Sequence, residues 1–218
     1  MTVLSDHHLA QIAAQSGIPA DRINPASIDL SLGHEMQLAT WTRPYLDAAD
    51  DGYVTPDHTV QQLRDRARLK HGGHHPELVR TVAAKAADRL RSLTRPTLTT
   101  HDLRDYPDGF WLVPGEGALL HTEHVLHVPE DKSGLLLLKS SRGREFWQHA
   151  FSGWFDPGFK GQGVLEVYAP VIPINIKHQQ LVAQLVLFDT HPVSVPYGAP
   201  GRISHYQNQM GARGSAHR

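Results

Sequence analysis

Hydrophobic and polar residues alternate along several short stretches of the chain, which is the pattern of half-buried β-strands. In the first stretch, Ile28, Leu30 and Leu32 alternate with polar residues. The second half of the chain contains further apolar runs separated by Gly, Pro and Asn. They predict strands near residues 112–116, 135–138, 164–168, 172–176 and 181–188. Short strands between turn signals favour a sandwich or jelly roll, so we predict a mainly β fold.

Two stretches carry a helical period instead. Ser5 or Asp6 can cap a short packing helix that Gly17 ends. A longer apolar stripe begins at Pro76, a favourable first helical position, within a charged region of the chain. We predict a helical insertion over about 41–105, beside a β core, within one domain that spans the whole chain.

Composition and charge narrow the class of protein. Lys and Arg number 21 against 22 Asp and Glu, a formal charge of −1, so no basic field would attract nucleic acid. No apolar run approaches the ~18–20 residues of a membrane helix, and the start lacks a signal-peptide pattern. The chain has no cysteine, which excludes disulfides and thiolate metal sites. We expect a soluble, cytoplasmic protein that binds neither nucleic acid nor membrane.

A cluster of hydroxyls and cations follows a leucine-rich strand. The segment 139–144 reads Lys-Ser-Ser-Arg-Gly-Arg. Its hydroxyls, guanidinium groups and backbone N–H groups suit a phosphate chain. Solvated turns have the same composition, so this cluster by itself leaves phosphate binding and a simple surface turn as alternatives.

Two carboxylates follow in different settings. Asp156 begins an Asp-Pro-Gly turn, in which its side chain can simply hold the turn. Glu166 lies on a predicted strand and shares a face with Val164 and Tyr168. A carboxylate on such a partly buried face is suited to proton transfer, whereas one that faces water has no such role. Periodicity alone leaves both interpretations of Glu166 open.

The final segment, about 192–218, is rich in Gly, Ser and Gln and carries hydrogen-bonding side chains. Lids that close over a substrate have this composition, and so do disordered tails that order on another surface. We interpret 192–218 as a lid or tail.

The histidines at 121, 124 and 127 suggest a metal site at first sight. On a strand, however, a spacing of three places neighbouring residues on opposite faces, which is poor geometry for three ligands. We therefore interpret His121, His124 and His127 as scattered surface residues, and a second histidine cluster within 71–75 in the same way.

The order of these motifs along the chain resembles the dCTP deaminases of the trimeric dUTPase superfamily. Seven motifs carry the resemblance: Asn-Pro-Ala-Ser-Ile-Asp-Leu-x-Leu-Gly at 24–33, Pro-Gly-Glu at 114–116, Lys-Ser-Ser-x-Gly-Arg at 139–144, Asp-Pro-Gly-Phe-x-Gly at 156–161, Leu-Glu at 165–166, Gln-Leu at 184–185 and Tyr-x-x-Gln-x-Gly at 206–211. The resemblance implies a distorted, dUTPase-like jelly-roll β barrel. It also implies a homotrimer with active sites between subunits.

The chemistry implied by the resemblance is hydrolytic deamination of dCTP to dUTP and ammonia. Glu166 would act as general base and acid toward a water molecule that attacks C4 of cytosine. Ser140 would orient that water, and Arg144 would stabilise charge that develops on the ring. Magnesium would arrive on the triphosphate. No zinc is expected, because the zinc deaminases use cysteine ligands that this chain lacks.

The resemblance also assigns nucleotide-binding side chains: Lys139, Ser141, Trp154, Tyr197, His205, Tyr206 and Gln209. Three features depart from the family. His205 stands where a lysine is usual, the segment between Arg144 and His149 is one residue short, and the insertion before Asp105 is longer.

Three alternatives compete with deamination alone: a dUTPase, a bifunctional deaminase–dUTPase and a non-enzyme. Asp156 matches the residue that positions the attacking water in dUTPases, and the preceding Gly-Trp at 153–154 resembles bifunctional deaminase–dUTPases, which convert dCTP to dUMP and pyrophosphate. Glu166 argues against a dUTPase alone. A nucleotide-sensing trimer without turnover is the non-enzyme alternative, since a fold by itself does not establish chemistry.

Overall fold

The computed structural model describes residues 2–40, 97–114, 116–150, 153–169 and 171–216. The helical stripe predicted from Pro76 and the histidines within 71–75 lie outside these residues. The end of the predicted insertion is described, and the boundary at 105 is wrong, because Thr97–Asp102 is a β-strand. Three threonines in that strand explain the difference, since β-branched side chains favour extended backbone.

The N-terminal helix is confirmed as α1, Asp6–Gln15, which buries Leu9, Ile12 and Ala13. It ends in a Schellman motif, in which the N–H of Ile18 bonds to the carbonyl of Ala13 at 2.9 Å. Gly17 adopts φ +67° there, a left-handed conformation that glycine tolerates best. A second, one-turn helix, α2, spans Ser140–Arg144.

Strands make up most of the regular secondary structure among the described residues. Their bounds are β1 Ile23–Asn24, β2 Ser27–Thr40, β3 Thr97–Asp102, β4 Phe110–Leu112, β5 Gly117–Thr122, β6 Leu126–His127, β7 Lys132–Leu138, β8 Gln148–His149, β9 Trp154–Phe155, β10 Lys160–Gly161, β11 Val164–Tyr168, β12 Ile174–Ile176 and β13 Leu181–Asp189. Two predicted strands are displaced by proline, which lacks a ladder N–H. Pro114 follows the end of β4, and Pro173 precedes the start of β12.

The main sheet runs in the order β8-β11-β5-β2-β13-β7-β9, and β1 and β3 also pair with β2. Strand β2 is central because it pairs with β13 through Ile28–Ser31 and with β5 beyond Leu32. A register shift between Leu32 and Met36 lies within the pairing of β2 with β5. The curled antiparallel sheet confirms the prediction of a mainly β, distorted jelly-roll fold.

The core lies beneath this sheet, where the alternating residues of β2 are buried. Ile28, Leu30 and Leu32 are essentially inaccessible to solvent, and Leu136 of β7 and Leu185 of β13 join them. The period-two pattern therefore identified the inner face of β2 correctly. Among the described helices, none has both the length and the apolar character needed to span a membrane.

Candidate active site

A pocket of about 600 Å³ is lined by residues of β5, β9, β11 and the C-terminal segment. Seven residues predicted for the site line it: Trp154, Asp156, Glu166, Tyr197, His205, Tyr206 and Gln209. These residues come from three separate stretches of the chain, 154–156, 166 and 197–209. The fold therefore brings two carboxylates, three aromatic side chains and polar groups of the tail to one cavity.

Glu166 is held on β11, between β5 and β8. It lies opposite Leu119 of β5, and its backbone carbonyl accepts a hydrogen bond from the N–H of Ala150 at 3.1 Å. The side chain is 39% exposed. Its backbone is thus fixed on both sides while the carboxylate reaches the pocket, an arrangement suited to proton exchange with a bound water or base.

His149 is a neighbour of Glu166 that the sequence did not reveal. Its Nε2 lies 3.8 Å from Oε2 of Glu166, and its side chain is only 2% exposed. Burial lowers the pKa of His149 below its ordinary value, and the nearby carboxylate only partly offsets this effect. Burial therefore favours the neutral imidazole over the charged form beside Glu166.

Asp156 is exposed at the start of the turn that follows β9. Its Oδ1 accepts a hydrogen bond from Nε1 of Trp154 at 3.3 Å. Its backbone carbonyl accepts from the N–H of Phe159 at 3.1 Å and closes the turn. The turn is therefore closed by backbone, and the carboxylate is oriented by Trp154.

The same turn anchors the C-terminal segment. The N–H of Tyr197 donates to the carbonyl of Pro157 at 2.8 Å. Gly158 has φ +88°, and a Cβ there would lie 2.9 Å from the carbonyl oxygen of Tyr197. Glycine is required at this position both by its backbone conformation and by the close approach of Tyr197.

Beyond Tyr197 the segment stays hydrogen-bonded to residues of the same chain. The hydroxyl of Tyr197 accepts from the N–H of Tyr206 at 3.0 Å. The backbone of Gln162 donates to the carbonyl of Gln209 at 2.9 Å, and Nε2 of Gln209 donates to the carbonyl of Gln162 at 2.7 Å. These hydrogen bonds hold Tyr206 and Gln209 at the pocket, and the opening of the segment as a lid stays a prediction.

The segment 139–144 is not brought to this pocket, since none of its side chains lines the cavity. Lys139 forms an ion pair with Asp29, whose other oxygen accepts from Nδ2 of Asn24 at 3.0 Å. Three predicted site residues on α2 are exposed: Ser140, Ser141 and Arg144. Within this chain, Lys139 therefore braces the first motif, and α2 presents its hydroxyls and Arg144 to the exterior.

One of the predicted surface histidines is buried, which corrects that interpretation for His121. Its Nε2 accepts the N–H of Glu35 at 3.1 Å. Its Nδ1 lies 2.9 Å from the carbonyl oxygen of Thr122 and must donate, because that oxygen can only accept. Gly33 makes room for the ring, since a Cβ there would lie 1.9 Å from Cε1 of His121. Sequence periodicity could not show this space.

His124 and His127 are half-buried. Within the described ranges, no group of three or more His, Asp or Glu side chains converges in a way that could hold a metal ion.

Comparisons with known proteins point to one family. A family model described as dCTP deaminase-like matches residues 70–190. A protein of Acidothermus cellulolyticus named dCTP deaminase, dUMP-forming, is 38% identical over 172 residues, covering 78% of this chain and 84% of that protein. A protein of the same name from Methanobrevibacter smithii is 27% identical over 220 residues, covering 96% of this chain and 92% of the relative.

The fold is also found among solved structures. A crystal structure of 2'-deoxycytidine 5'-triphosphate deaminase from Agrobacterium tumefaciens aligns with a TM-score of 0.54 at 19% identity. The alignment covers 87% of this chain, which spans 48% of that chain's length. At this identity the likeness concerns the fold.

Proposed function

The chain belongs to the dCTP deaminase-like family, and on that basis we propose that it deaminates the cytosine base of dCTP and releases dUMP, pyrophosphate and ammonia. The observation that carries the proposal is the presence of Glu166 and Asp156 in one pocket. The resemblance carried by the sequence motifs favoured dUTP as the product. The relatives named dUMP-forming support the bifunctional alternative, with both reactions in one enzyme.

Glu166 is proposed as the proton carrier of deamination. Its carboxylate takes a proton from the water that attacks C4 of cytosine and passes it to N3. Glu166 then moves the proton of the new C4 hydroxyl to the amine, the C4–N bond breaks, and ammonia leaves while the C4 oxygen becomes the carbonyl of uracil. The burial of His149 supports this role, because it favours the neutral imidazole, whereas a charged imidazolium at 3.8 Å would stabilise the carboxylate and weaken it as a base.

Asp156 is proposed as the carboxylate of pyrophosphate release. It would position a second water for attack on the α-phosphorus of the uracil nucleotide, which breaks the bond to the β-phosphate oxygen. Its exposure in the turn and its hydrogen bond from Trp154 support this role, since the carboxylate is oriented without being buried. The two carboxylates thus serve different bonds of the same substrate.

We further propose that neighbouring copies in a homotrimer complete the site. The resemblance assigns Ser140, Ser141 and Arg144 to the nucleotide, yet in this chain they lie on α2 and do not line the pocket. A second copy can supply them. The substrate is proposed to enter as its magnesium complex, so the metal belongs to the nucleotide.

Product analysis tests the proposed function. The protein is incubated separately with dCTP and with dUTP in the presence of magnesium, and ammonia, dUTP, dUMP and pyrophosphate are quantified. Formation of dUMP, pyrophosphate and ammonia from dCTP is the expected result. Accumulation of dUTP would reduce the function to deamination alone. Absence of ammonia, with dCTP still bound, would favour the nucleotide-sensing alternative and overturn the proposal.

A further inference from the structure

The C-terminal segment brings a fixed positive charge to the pocket. Among the described residues that line the cavity, Arg213 alone is a lysine or arginine, and the two carboxylates Asp156 and Glu166 line the same cavity. Arg213 is exposed and forms no salt bridge within the described part of the chain. Its charge is therefore available to a ligand, because no carboxylate of the described residues forms an ion pair with it.

The backbone just before Arg213 is held from two sides. The N–H of Gly211 donates to Oε1 of Gln162 at 2.7 Å, and the N–H of Ala212 donates to Oε1 of Glu35 at 2.9 Å. Ala212 is fully buried. Gly211 has φ +73°, and a Cβ there would lie 2.7 Å from the Glu35 carboxylate. The position of Arg213 is thus set by the fold, although its side chain is exposed.

Glu35 is itself fixed by the protein interior. Its N–H donates to Nε2 of the buried His121, which is 2% exposed. His121 in turn donates from Nδ1 to the carbonyl of Thr122 at 2.9 Å. A continuous set of hydrogen bonds therefore runs from β5 through β2 to the residue that precedes Arg213.

We propose that Arg213 binds the phosphate groups of the nucleotide in this pocket, and that Glu35 is the residue that positions it. The inference rests on the proposed function and adds a binding residue to it. A triphosphate near Asp156 and Glu166 needs positive charge to offset the repulsion between anions. A guanidinium forms bidentate, charge-assisted hydrogen bonds to phosphate, which makes Arg213 well suited to this contact.

The phosphate cluster of the sequence does not meet this need within one chain. Lys139 is paired with Asp29, and the other cations of the segment 139–144 do not line the cavity. A neighbouring copy can add its own cations to the site. Arg213 is the contribution of the chain that carries Glu166.

The test compares Arg213→Gln with Arg202→Gln. Arg202 is an exposed arginine of the same segment that does not line the pocket, so its substitution removes the same charge elsewhere. KM and kcat are measured for dCTP, and binding of inorganic triphosphate, which lacks base and sugar, is measured by calorimetry. Arg213→Gln is expected to raise both KM and the Kd of triphosphate about 10- to 100-fold, with kcat changed less than about threefold. Arg202→Gln is expected to match the wild type.

The positioning role of Glu35 is tested by a double-mutant cycle. Glu35→Ala removes the acceptor for Ala212 and is expected to raise KM when Arg213 is present, but to add little in the Arg213→Gln background. Glu35→Gln retains an acceptor oxygen and is expected to keep KM near the wild-type value. Additive effects of Glu35→Ala and Arg213→Gln would overturn the positioning role.

Failure of this inference is distinguishable from failure of the proposed function. If the wild type releases ammonia and Arg213→Gln binds dCTP and triphosphate as Arg202→Gln does, the Arg213 inference is wrong and the function stands. If the wild type releases no ammonia, the function is wrong, and the triphosphate measurement still decides whether Arg213 binds phosphate.

Discussion

Gln162 hydrogen-bonds the C-terminal segment to the rest of the chain, and its truncation is expected to loosen that segment by a predictable amount. It is buried, at 7% exposure. Its Oε1 accepts from the N–H of Gly211 at 2.7 Å, and its Nε2 donates to the carbonyl of Glu123 at 3.0 Å. Gln162→Ala removes both bonds but keeps the backbone pairing with Gln209. The variant therefore loosens the segment without deleting it.

The magnitude follows from the bond to Gly211, because it alone of the two reaches the C-terminal segment. It contributes about 0.5–1.5 kcal/mol net, so its loss lowers the free energy of opening the segment by the same amount. Because about 1.4 kcal/mol corresponds to a tenfold change in an equilibrium constant, the open population rises about 2- to 12-fold. Global stability should fall by no more than about 1–3 kcal/mol, because two hydrogen bonds are lost while the main sheet keeps all its pairings.

Native-state hydrogen exchange measures this opening directly. The amides of Gly211 and Ala212 should exchange about 2- to 12-fold faster in Gln162→Ala than in the wild type. Gln180→Ala is the matched control, because it removes an amide hydrogen bond to the N–H of Lys177 in an exposed turn outside the segment. Unchanged protection of Gly211 and Ala212 in Gln162→Ala would refute the reasoning about how the segment is held.

Three further predictions concern packing, pH and assembly. Gly33→Ala should lower the free energy of unfolding, measured with denaturant, by about 1–3 kcal/mol or more, because its Cβ would lie 1.9 Å from the ring of His121. Gly143→Ala, whose Cβ would meet open space, should leave that free energy unchanged. Burial lowers the pKa of His121 and His149, so the unfolded chain binds more protons below about pH 6.5. The free energy of unfolding should accordingly fall as the pH drops through this window, and His149→Asn should reduce the slope; a pH-independent free energy would count against neutral, buried imidazoles. Light scattering should give the mass of a trimer, and a stable, active monomer would exclude a site shared between copies.

The elements that rest on local pattern were predictable from the sequence. Alternation on β2 identified Ile28, Leu30 and Leu32 as core residues, and the apolar face of α1 was equally clear. Glu166 and Asp156 were found because each sits in a short motif with its own chemical character. Their convergence in one pocket was not predictable, because the sheet order places β9 and β11 far apart along the sheet, although residues of both strands line the same cavity.

Contacts between distant parts of the chain were not predictable. Lys139 was assigned to a nucleotide, but it pairs with Asp29, which is 110 positions away. His149 lies on a two-residue strand, too short for alternation to show which face is buried. Arg213 lies in a polar segment, and its place at the pocket is set by Glu35, which is 177 residues from Ala212. No local rule connects such residues, because the fold alone brings them together.

Substitutions at Glu166 and Asp156 should separate deamination from pyrophosphate release. Their comparison tests whether each carboxylate serves its own reaction. Glu166→Gln keeps the size and hydrogen bonding of the side chain but cannot accept a proton. The variant should release ammonia from dCTP about 10²- to 10⁴-fold more slowly than the wild type, while it still converts dUTP to dUMP. Asp156→Asn, once shown to fold and assemble, should lose pyrophosphate release preferentially. Ammonia release by Glu166→Gln at nearly the wild-type rate would contradict the account and leave Glu166 an ordinary residue of β11.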